Sequence, residues 1–324
     1  MSIRTFVSLA FVVLAFALPM GSPADTEETP PSWAYTTNPP EWKPAPDDGS
    51  IRRVPDSTAG FTLTQLRDLF LAPDWHPADH PPMPEVVAKG RKPDVMACGV
   101  CHRADGPGGP ENASLFGLPT SYIVQQMTDF KSGVRTTALP QRVPQKLMIA
   151  TAKAATTAEV EASASYFASI KPRANIRVVE TDTIPKSSVT GWFFAPSTTG
   201  EKESLGQRIV EVPEDVGRFV SRDSRVRFTA YVPVGSIEKG RALAATGGGG
   251  KTVQCASCHG PDLKGLGAVP GIAGRSPSYA VRQLYDFKHG ARTGPKAELM
   301  KPSVQNLGVE DMLVLAAYTA SLAP

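Results

Sequence analysis

The sequence predicts a mainly α-helical protein that contains two copies of one domain, and two observations support this fold class. When the 324-residue chain is shifted by 157 positions, Ser121–Thr136 aligns with Ser278–Thr293, and ten of these sixteen positions are identical. The first segment also has the spacing of one helix face, which is occupied by Tyr122, Ile123, Gln126, Met127 and Phe130. The offset therefore indicates duplication, and the periodicity indicates helices.

Short-range signals predict where helices of the repeat end and begin. Gly133 and Gly290 follow the repeated helix, and glycine readily takes the left-handed conformation that ends a helix. Near the end of the first copy, Thr156 and Glu159 have the spacing of a capping box, which starts a helix. We therefore expect another helix directly after Thr156.

The segment 25–84 lies outside the repeat and is rich in proline. The chain has 31 prolines among 324 residues, about twice the usual share of ~5%. Proline disfavours regular helix, so we predict an extended arm whose one helical part lies within Phe61–Leu71. Trp33, Trp42 and Trp75 indicate that this arm packs against another surface.

The segment 173–234 also lies outside the repeat, and its pattern is that of strands. Three stretches alternate apolar with polar side chains at period two, namely Ile176–Glu180, Arg208–Val212 and Arg225–Val232. We predict a small β-rich insertion that joins the two copies.

Charge and composition exclude several kinds of partner. The chain has 34 Lys and Arg against 31 Asp and Glu, and a net charge of +3 is too small to predict a nucleic-acid partner. A glycine-rich loop before Lys251 resembles a phosphate-binding loop, but no hydrophobic strand precedes it. We therefore expect neither nucleic acid nor nucleotide to bind.

The first residues are typical of an export signal. Arg4 precedes an apolar stretch from Phe6 to Leu18, and small residues follow it. The stretch of 13 residues is shorter than the ~20 residues that a spanning helix needs. We expect cleavage after Ala24 and a periplasmic location, the alternative being a signal that is retained as an anchor.

All four cysteines lie in two copies of Cys-x-x-Cys-His, the attachment motif of c-type haem. The two thiols can each bond a vinyl group of the porphyrin, and the adjacent imidazole can bind the iron. A zinc site or a redox dithiol would leave the two histidines unexplained. We predict two haem c groups, with covalent attachment and proximal ligation by Cys98, Cys101 and His102, and by Cys255, Cys258 and His259.

Methionine is the candidate for the second axial ligand of each iron. Of the methionines compared between the copies, Met148 and Met300 pair with each other, at an offset of 152 residues. We expect both to lie in a loop just before the last helix of each copy. A thioether ligand would close both sites and raise their potentials, which suits electron transfer. The alternative is that both are ordinary core methionines.

The sequence resembles the diheme cytochrome c4 family over residues 85–172 and 235–324. The residues that carry the resemblance are Cys255–Gly260, Gly271–Gly274, Tyr279–Arg292, Met300 and Glu310–Leu322. The resemblance implies two tandem class I cytochrome c domains related by a pseudo-two-fold axis. It also implies that His102 and His259 are proximal ligands and that Met148 and Met300 are distal ones.

Further roles follow from this resemblance. A proline carbonyl commonly fixes the proximal imidazole, and Pro270 can do so in the second domain. Ala113 stands at the matched position, so we expect the first domain to hold His102 differently. We also expect Arg135 and Arg292 to contact haem propionates, because guanidinium and carboxylate pair well; the alternative is a solvated surface arginine.

The predicted organisation has five parts. They are a signal peptide (1–24), the arm (25–84), a first cytochrome c domain (85–172), the insertion (173–234) and a second cytochrome c domain (235–324). These names are used below for those ranges. The predicted fold is mainly α, with the proline-rich arm and the β-rich insertion added to two class I cytochrome c domains.

The sequence predicts an electron carrier and no catalytic residue. The expected partners are an exported dehydrogenase, an oxidase or a quinol-oxidising complex, with any membrane association made through such a partner. Two alternatives stay open, namely a diheme cytochrome c peroxidase-like enzyme and the cytochrome subunit of a specific dehydrogenase complex. The matched methionines argue against the peroxidase, which needs one open haem.

Overall fold

The computed structural model describes residues 29–324, so the predicted signal peptide lies outside the described residues. The first three helices of the first half are short, and the three that follow are longer. They are α1 (Leu63–Arg67), α2 (Glu85–Ala88), α3 (Cys98–His102), α4 (Thr120–Ser132), α5 (Val143–Ala154) and α6 (Thr157–Ser169). A 3₁₀ turn is formed by Pro77–Asp79.

The insertion contains strands at the three predicted places, four further strands that the pattern did not predict, and one short helix. Its elements are β1 (Ile176–Glu180), β2 (Thr183–Pro185), β3 (Ser187–Thr190), β4 (Phe193–Pro196), β5 (Lys202–Ser204), β6 (Val210–Pro213), α7 (Val216–Val220) and β7 (Phe228–Val232). A three-stranded sheet has the order β1-β7-β6, in which β7 pairs parallel with β1 and antiparallel with β6. Two separate antiparallel pairs, β2 with β5 and β3 with β4, are the other strands of the insertion.

The second half repeats the helices of the first. It contains α8 (Ser236–Thr246), α9 (Ala256–His259), the strand pair β8 (Gly265–Leu266) and β9 (Val269–Pro270), α10 (Pro277–Lys288), α11 (Lys301–Val304) and α12 (Val309–Ser321). A 3₁₀ turn, Ala297–Met300, leads into α11. By the 157-residue offset, α3 and α4 correspond to α9 and α10.

The predicted helix ends agree with the structure. Gly133 follows α4 with a left-handed φ of +83°, and Gly290 stands after α10 with a φ of +71°. Thr156 accepts a hydrogen bond from the Glu159 N–H, and the Glu159 carboxylate accepts one from the Thr156 N–H. This capping box satisfies backbone donors that the first turn of α6 would leave free.

Each half has its own apolar core. In the second half, α12 packs against α8 and α10 and buries Met312, Leu313 and Leu315. In the first half, α4 and α6 enclose Phe116 and Phe167. Among residues 29–324, no helix is both long and apolar enough to cross a bilayer.

The arm packs on the second half and on the insertion through its aromatic residues. Tyr35 lies in the core of the second half, and its hydroxyl donates to Asp286 Oδ1 at 2.7 Å. Trp42 Nε1 donates to Thr190 on β3 at 2.7 Å. The buried Trp75 donates from Nε1 to the Ser221 carbonyl at 2.7 Å. The arm is therefore part of the folded body.

Candidate haem sites

Each Cys-x-x-Cys-His motif forms a short helix, α3 or α9, that ends in a tight backbone turn. Arg103 follows α3 with a φ of +68°, and Gly260 follows α9 with a φ of +81°. The two residues are matched by the 157-residue offset. The chain therefore leaves both motifs in the same direction, although only Gly260 is suited to that conformation.

The two histidines of the motifs are held in the same way. His102 Nδ1 donates to the Ala113 carbonyl at 2.8 Å, and His259 Nδ1 donates to the Pro270 carbonyl at 2.8 Å. The expectation that His102 is held differently is therefore wrong. The acceptor is a main-chain carbonyl, which alanine supplies as well as proline does.

This arrangement leaves both imidazoles ready to bind a metal ion. With the proton on Nδ1, the lone pair of Nε2 is available, and a carbonyl partner of this kind is usual for metal-bound histidine. Burial lowers the pKa of both His102 and His259, which favours the neutral ring that coordination requires.

The four cysteines form no disulfide with one another, and three of them are at least half covered. Burial raises the pKa of the Cys98 thiol to about 12 and raises the pKa of Cys101 and Cys255 as well. Cys258 is exposed. Within residues 29–324, no group of three or more His, Cys, Asp or Glu side chains is placed to hold a metal ion.

The structure corrects the expected position of the two methionines. Met148 lies inside α5, and Met300 ends the 3₁₀ turn before α11, so neither is in a loop. Pro144 explains why α5 begins before Met148, because proline is favoured in the first turn of a helix. The residues that follow Pro144 have high helix propensity. Both side chains are half-buried, and Met300 packs against the core of the second half.

The donor set of each motif fits a haem c group. Two thiols at i and i+3 lie on one short helix, and the next residue presents an imidazole whose Nε2 is not used by the fold. When bound, haem c supplies one-electron redox chemistry. The protein holds the imidazole proton on Nδ1 and so fixes the ring orientation.

Arg135 and Arg292 meet at the contact between the two repeats. Arg135 Nη1 donates to Gln126 Oε1 at 2.7 Å, and its Nη2 donates to Gln283 Oε1 at 3.0 Å. Arg292 mirrors this, with Nη1 donating to Gln283 Oε1 at 2.9 Å and Nη2 to Gln126 Oε1 at 2.7 Å. Both arginines are buried. Their expected contacts with haem propionates stay a prediction.

The backbone at this contact has the same local two-fold symmetry. The Thr136 N–H donates to the Ala291 carbonyl at 2.7 Å, and the Thr293 N–H donates to the Val134 carbonyl at 2.8 Å. The 157-residue offset exchanges the two bonds. The repeats are therefore joined by equivalent residues of each.

Sequence reasoning missed the role of the glutamines and of the half-buried Arg275. Gln126 lies on the helix face that the pattern identified, and it matches Gln283 in the repeat, but neither observation indicates that both residues bind the two arginines. Arg275 Nη1 donates to the Ser114 carbonyl at 3.0 Å and its Nη2 to the Phe116 carbonyl at 3.2 Å. No repeat signal marks Arg275, because Leu118 stands at the matched position.

Comparison with known proteins agrees with this geometry. The cytochrome c family model matches residues 237–323. Cytochrome c-554(548) of Halomonas halodenitrificans is 37% identical over 78 residues, which cover 24% of this chain and 94% of that protein. The thiosulfate dehydrogenase electron acceptor of Thiomonas intermedia is 27% identical over 64% of this chain and 70% of that protein. Cytochrome c4 of Azotobacter vinelandii is 28% identical over 40% of this chain and 67% of that protein.

The chain thus belongs to the cytochrome c family of haem-binding electron-transfer proteins. Within that family it is similar to the cytochromes c4 of Azotobacter vinelandii and Thiocapsa roseopersicina.

Proposed function

We propose that this protein carries two covalently bound haem c groups, each with a histidine and a methionine ligand, and transfers electrons in the periplasm. The observation that carries the proposal is the matched pair of imidazoles, His102 and His259, each donating from Nδ1 to a carbonyl 2.8 Å away. Because both imidazoles are held in the same way, the geometry favours a carrier over a peroxidase, which needs two differently arranged irons.

The proposed ligands are Met148 and Met300, with no catalytic residue in the chain. Electrons pass from an exported dehydrogenase or a quinol-oxidising complex to a terminal acceptor. The similarity to thiosulfate dehydrogenase electron acceptors of Thiomonas intermedia and Stutzerimonas stutzeri favours a second form of this role. In that form the protein is the electron-accepting cytochrome of one dehydrogenase and reaches any membrane through a partner.

The haem content and the ligands can be tested on the mature holoprotein. We expect the mass and the pyridine haemochrome spectrum to show two haem c groups. Met148→Ala and Met300→Ala should each lower the potential of one haem and let it bind cyanide, because a thioether ligand favours the ferrous state and closes the site.

Met127→Leu is the matched control for these variants. Met127 packs in the first core, and the repeat has Leu284 at the corresponding position. This variant should keep both potentials and bind no cyanide. An unchanged spectrum and potential in Met300→Ala would exclude Met300 as a ligand.

A further inference from the structure

The two motifs differ in how far the protein covers them. In α3, Gly99 and Val100 are buried, and Cys101 is half-buried. At the matched positions of α9, Ala256, Ser257 and Cys258 are exposed. The amino acids agree with this difference, because the covered helix has valine where the open helix has serine.

The arm covers the first motif. The Ala97 N–H at the start of α3 donates to the Leu69 carbonyl of the arm at 2.9 Å. At Gly99 the packing is so close that a Cβ atom would lie 2.8 Å from Ala72 Cβ. Leu69 and Ala72 also form an apolar cluster with Val100 and Cys101.

The insertion holds this cover in place. Arg222 donates from Nη1 to the Val100 carbonyl of α3 at 2.8 Å and from Nε to the Leu66 carbonyl of the arm at 2.7 Å. One guanidinium therefore joins the insertion, the arm and the first motif. Leu66 itself is fully buried.

The second motif lies in an exposed surface without net charge, because the exposed Asp262 and Lys264 beside Leu266 have opposite charges. Val253 and Leu266 are 41% and 60% exposed. Leu266 lies close to the end of α9, because a Cβ atom added to Gly260 would be 3.9 Å from Leu266 Cβ. Residues 253–260 contain no Asp, Glu, Lys or Arg. Next to them, Lys251 is neutralised by Asp311 at 2.7 Å.

We propose that this protein exchanges electrons with its redox partners at the uncovered second motif, and that the first haem is reached through the second. The partner presents an uncharged, apolar face around its own redox centre, since an apolar surface without net charge offers little to a charged one. This inference rests on the proposed function, because it requires a haem at each motif.

Voltammetry of the holoprotein provides the test. The probe is a gold electrode coated with a mixed methyl- and hydroxyl-terminated alkanethiol layer, which represents the uncharged partner face. Leu266→Glu and Leu266→Lys should each slow electron exchange at this electrode by about tenfold, equal to about 1.4 kcal/mol of lost contact. Both redox waves should slow together, since both haems use the same entry.

Val220→Glu is the matched control. Val220 is 48% exposed on the insertion, next to the residues that cover the first motif. It should leave the rate of both waves unchanged. Equal slowing by Val220→Glu, or slowing of one wave alone in the Leu266 variants, would overturn the single entry.

Two further outcomes separate the parts of the proposal. The Leu266→Glu and Leu266→Lys variants are also measured at an electrode with a carboxylate-terminated layer. If either variant exchanges electrons faster there than at the neutral layer, the partner face is charged and the stated chemistry is wrong. Absence of covalent haem would overturn the proposed function itself. Two haems with equal rates in all variants would overturn this inference and leave the proposed function intact.

Discussion

Arg103 is the residue that most clearly distinguishes the first haem site from the second. Its backbone, with φ +68° and ψ +161°, is in a region that is almost confined to glycine, and the second repeat has Gly260 there. The side chain is buried over the Phe219 ring, 5.0 Å from its centroid. Nη2 lies 3.7 Å from Glu111, and Nε and Nη1 have no partner among the described residues.

This buried cation should raise the potential of the first haem. Burial lowers the pKa of Arg103 to about 10, so the side chain stays charged at neutral pH, directly after His102. We expect Arg103→Met to lower the first potential by tens of millivolts, because a unit charge within about 10 Å contributes about 1–2 kcal/mol at an effective dielectric constant of ~20. The second potential should not move.

Spectroelectrochemical titration measures both potentials. The control is Arg91→Met, which removes an exposed guanidinium paired with Glu159 at 2.8 Å. Solvent and salt screen such a charge, so this variant should leave both potentials in place. A first potential that rises or stays constant in Arg103→Met would contradict the electrostatic role.

Strand β6 shows how tertiary contacts change the meaning of a sequence pattern. The alternation in Arg208–Val212 predicts that Glu211 faces solvent, yet all four residues of β6 are buried. The Glu211 carboxylate accepts from Ser276 Oγ at 2.7 Å, at the start of α10. The second half packs over this side of the strand. A local sequence pattern cannot predict such a contact with a distant part of the chain.

Glu211 should make the stability of the fold depend on pH. Burial raises its pKa from 4.5 to about 7, so the folded state binds a proton between these pH values that the unfolded state releases. The contribution of this proton to the free energy of unfolding is complete below about pH 4.5 and is lost as the pH rises through about 7. The loss amounts to up to about 3 kcal/mol. Glu211→Gln should remove this loss.

Thermal unfolding at pH 5 and pH 8 tests the prediction. The melting temperature of Glu211→Gln should fall less between the two pH values than that of the unaltered protein. Glu201→Gln serves as the control, because Glu201 is exposed and pairs with Lys186 at 3.1 Å. The same pH dependence in all three proteins would contradict the assignment to Glu211.

At the scale of the whole molecule, the two repeats are joined by a small symmetric network of polar groups, in which Gln126 and both arginines are buried and Gln283 is half-buried. Gln126 and Gln283 each accept hydrogen bonds from both Arg135 and Arg292 through one amide oxygen. The arginines also lie over Phe130 and Phe287, at 4.3 and 4.0 Å from the ring centroids. Loss of one amide oxygen therefore leaves donors of two buried cations unpaired.

We expect Gln126→Met to destabilise the holoprotein by about 2–3 kcal/mol, the usual cost of unpaired buried donors on charged groups. Urea unfolding measures this free energy, with the haem absorbance and the far-UV signal as separate probes. Gln305→Met is the control, because Gln305 is exposed after α11. A loss no larger than that of the control would show that the network contributes little.

The sequence by itself determined the features that depend on neighbouring residues. The motifs that end at His102 and His259 and the capping box at Thr156 are of this kind, because a few adjacent side chains carry all the chemistry involved. The duplication was also visible, since it needs only a comparison of the chain with itself. Strands β1, β6 and β7 of the insertion follow from their period-two pattern, whereas β2 to β5 were not predicted.

The tertiary structure decided the features that join distant parts of the chain. Arg222 closes the first motif from more than 100 residues away, and Arg135 meets Arg292 across the two repeats. Burial of a polar side chain depends on what packs over it, and this is fixed by the whole fold. For the same reason, two nearly identical motifs have different surroundings, one covered by the arm and the insertion and the other open.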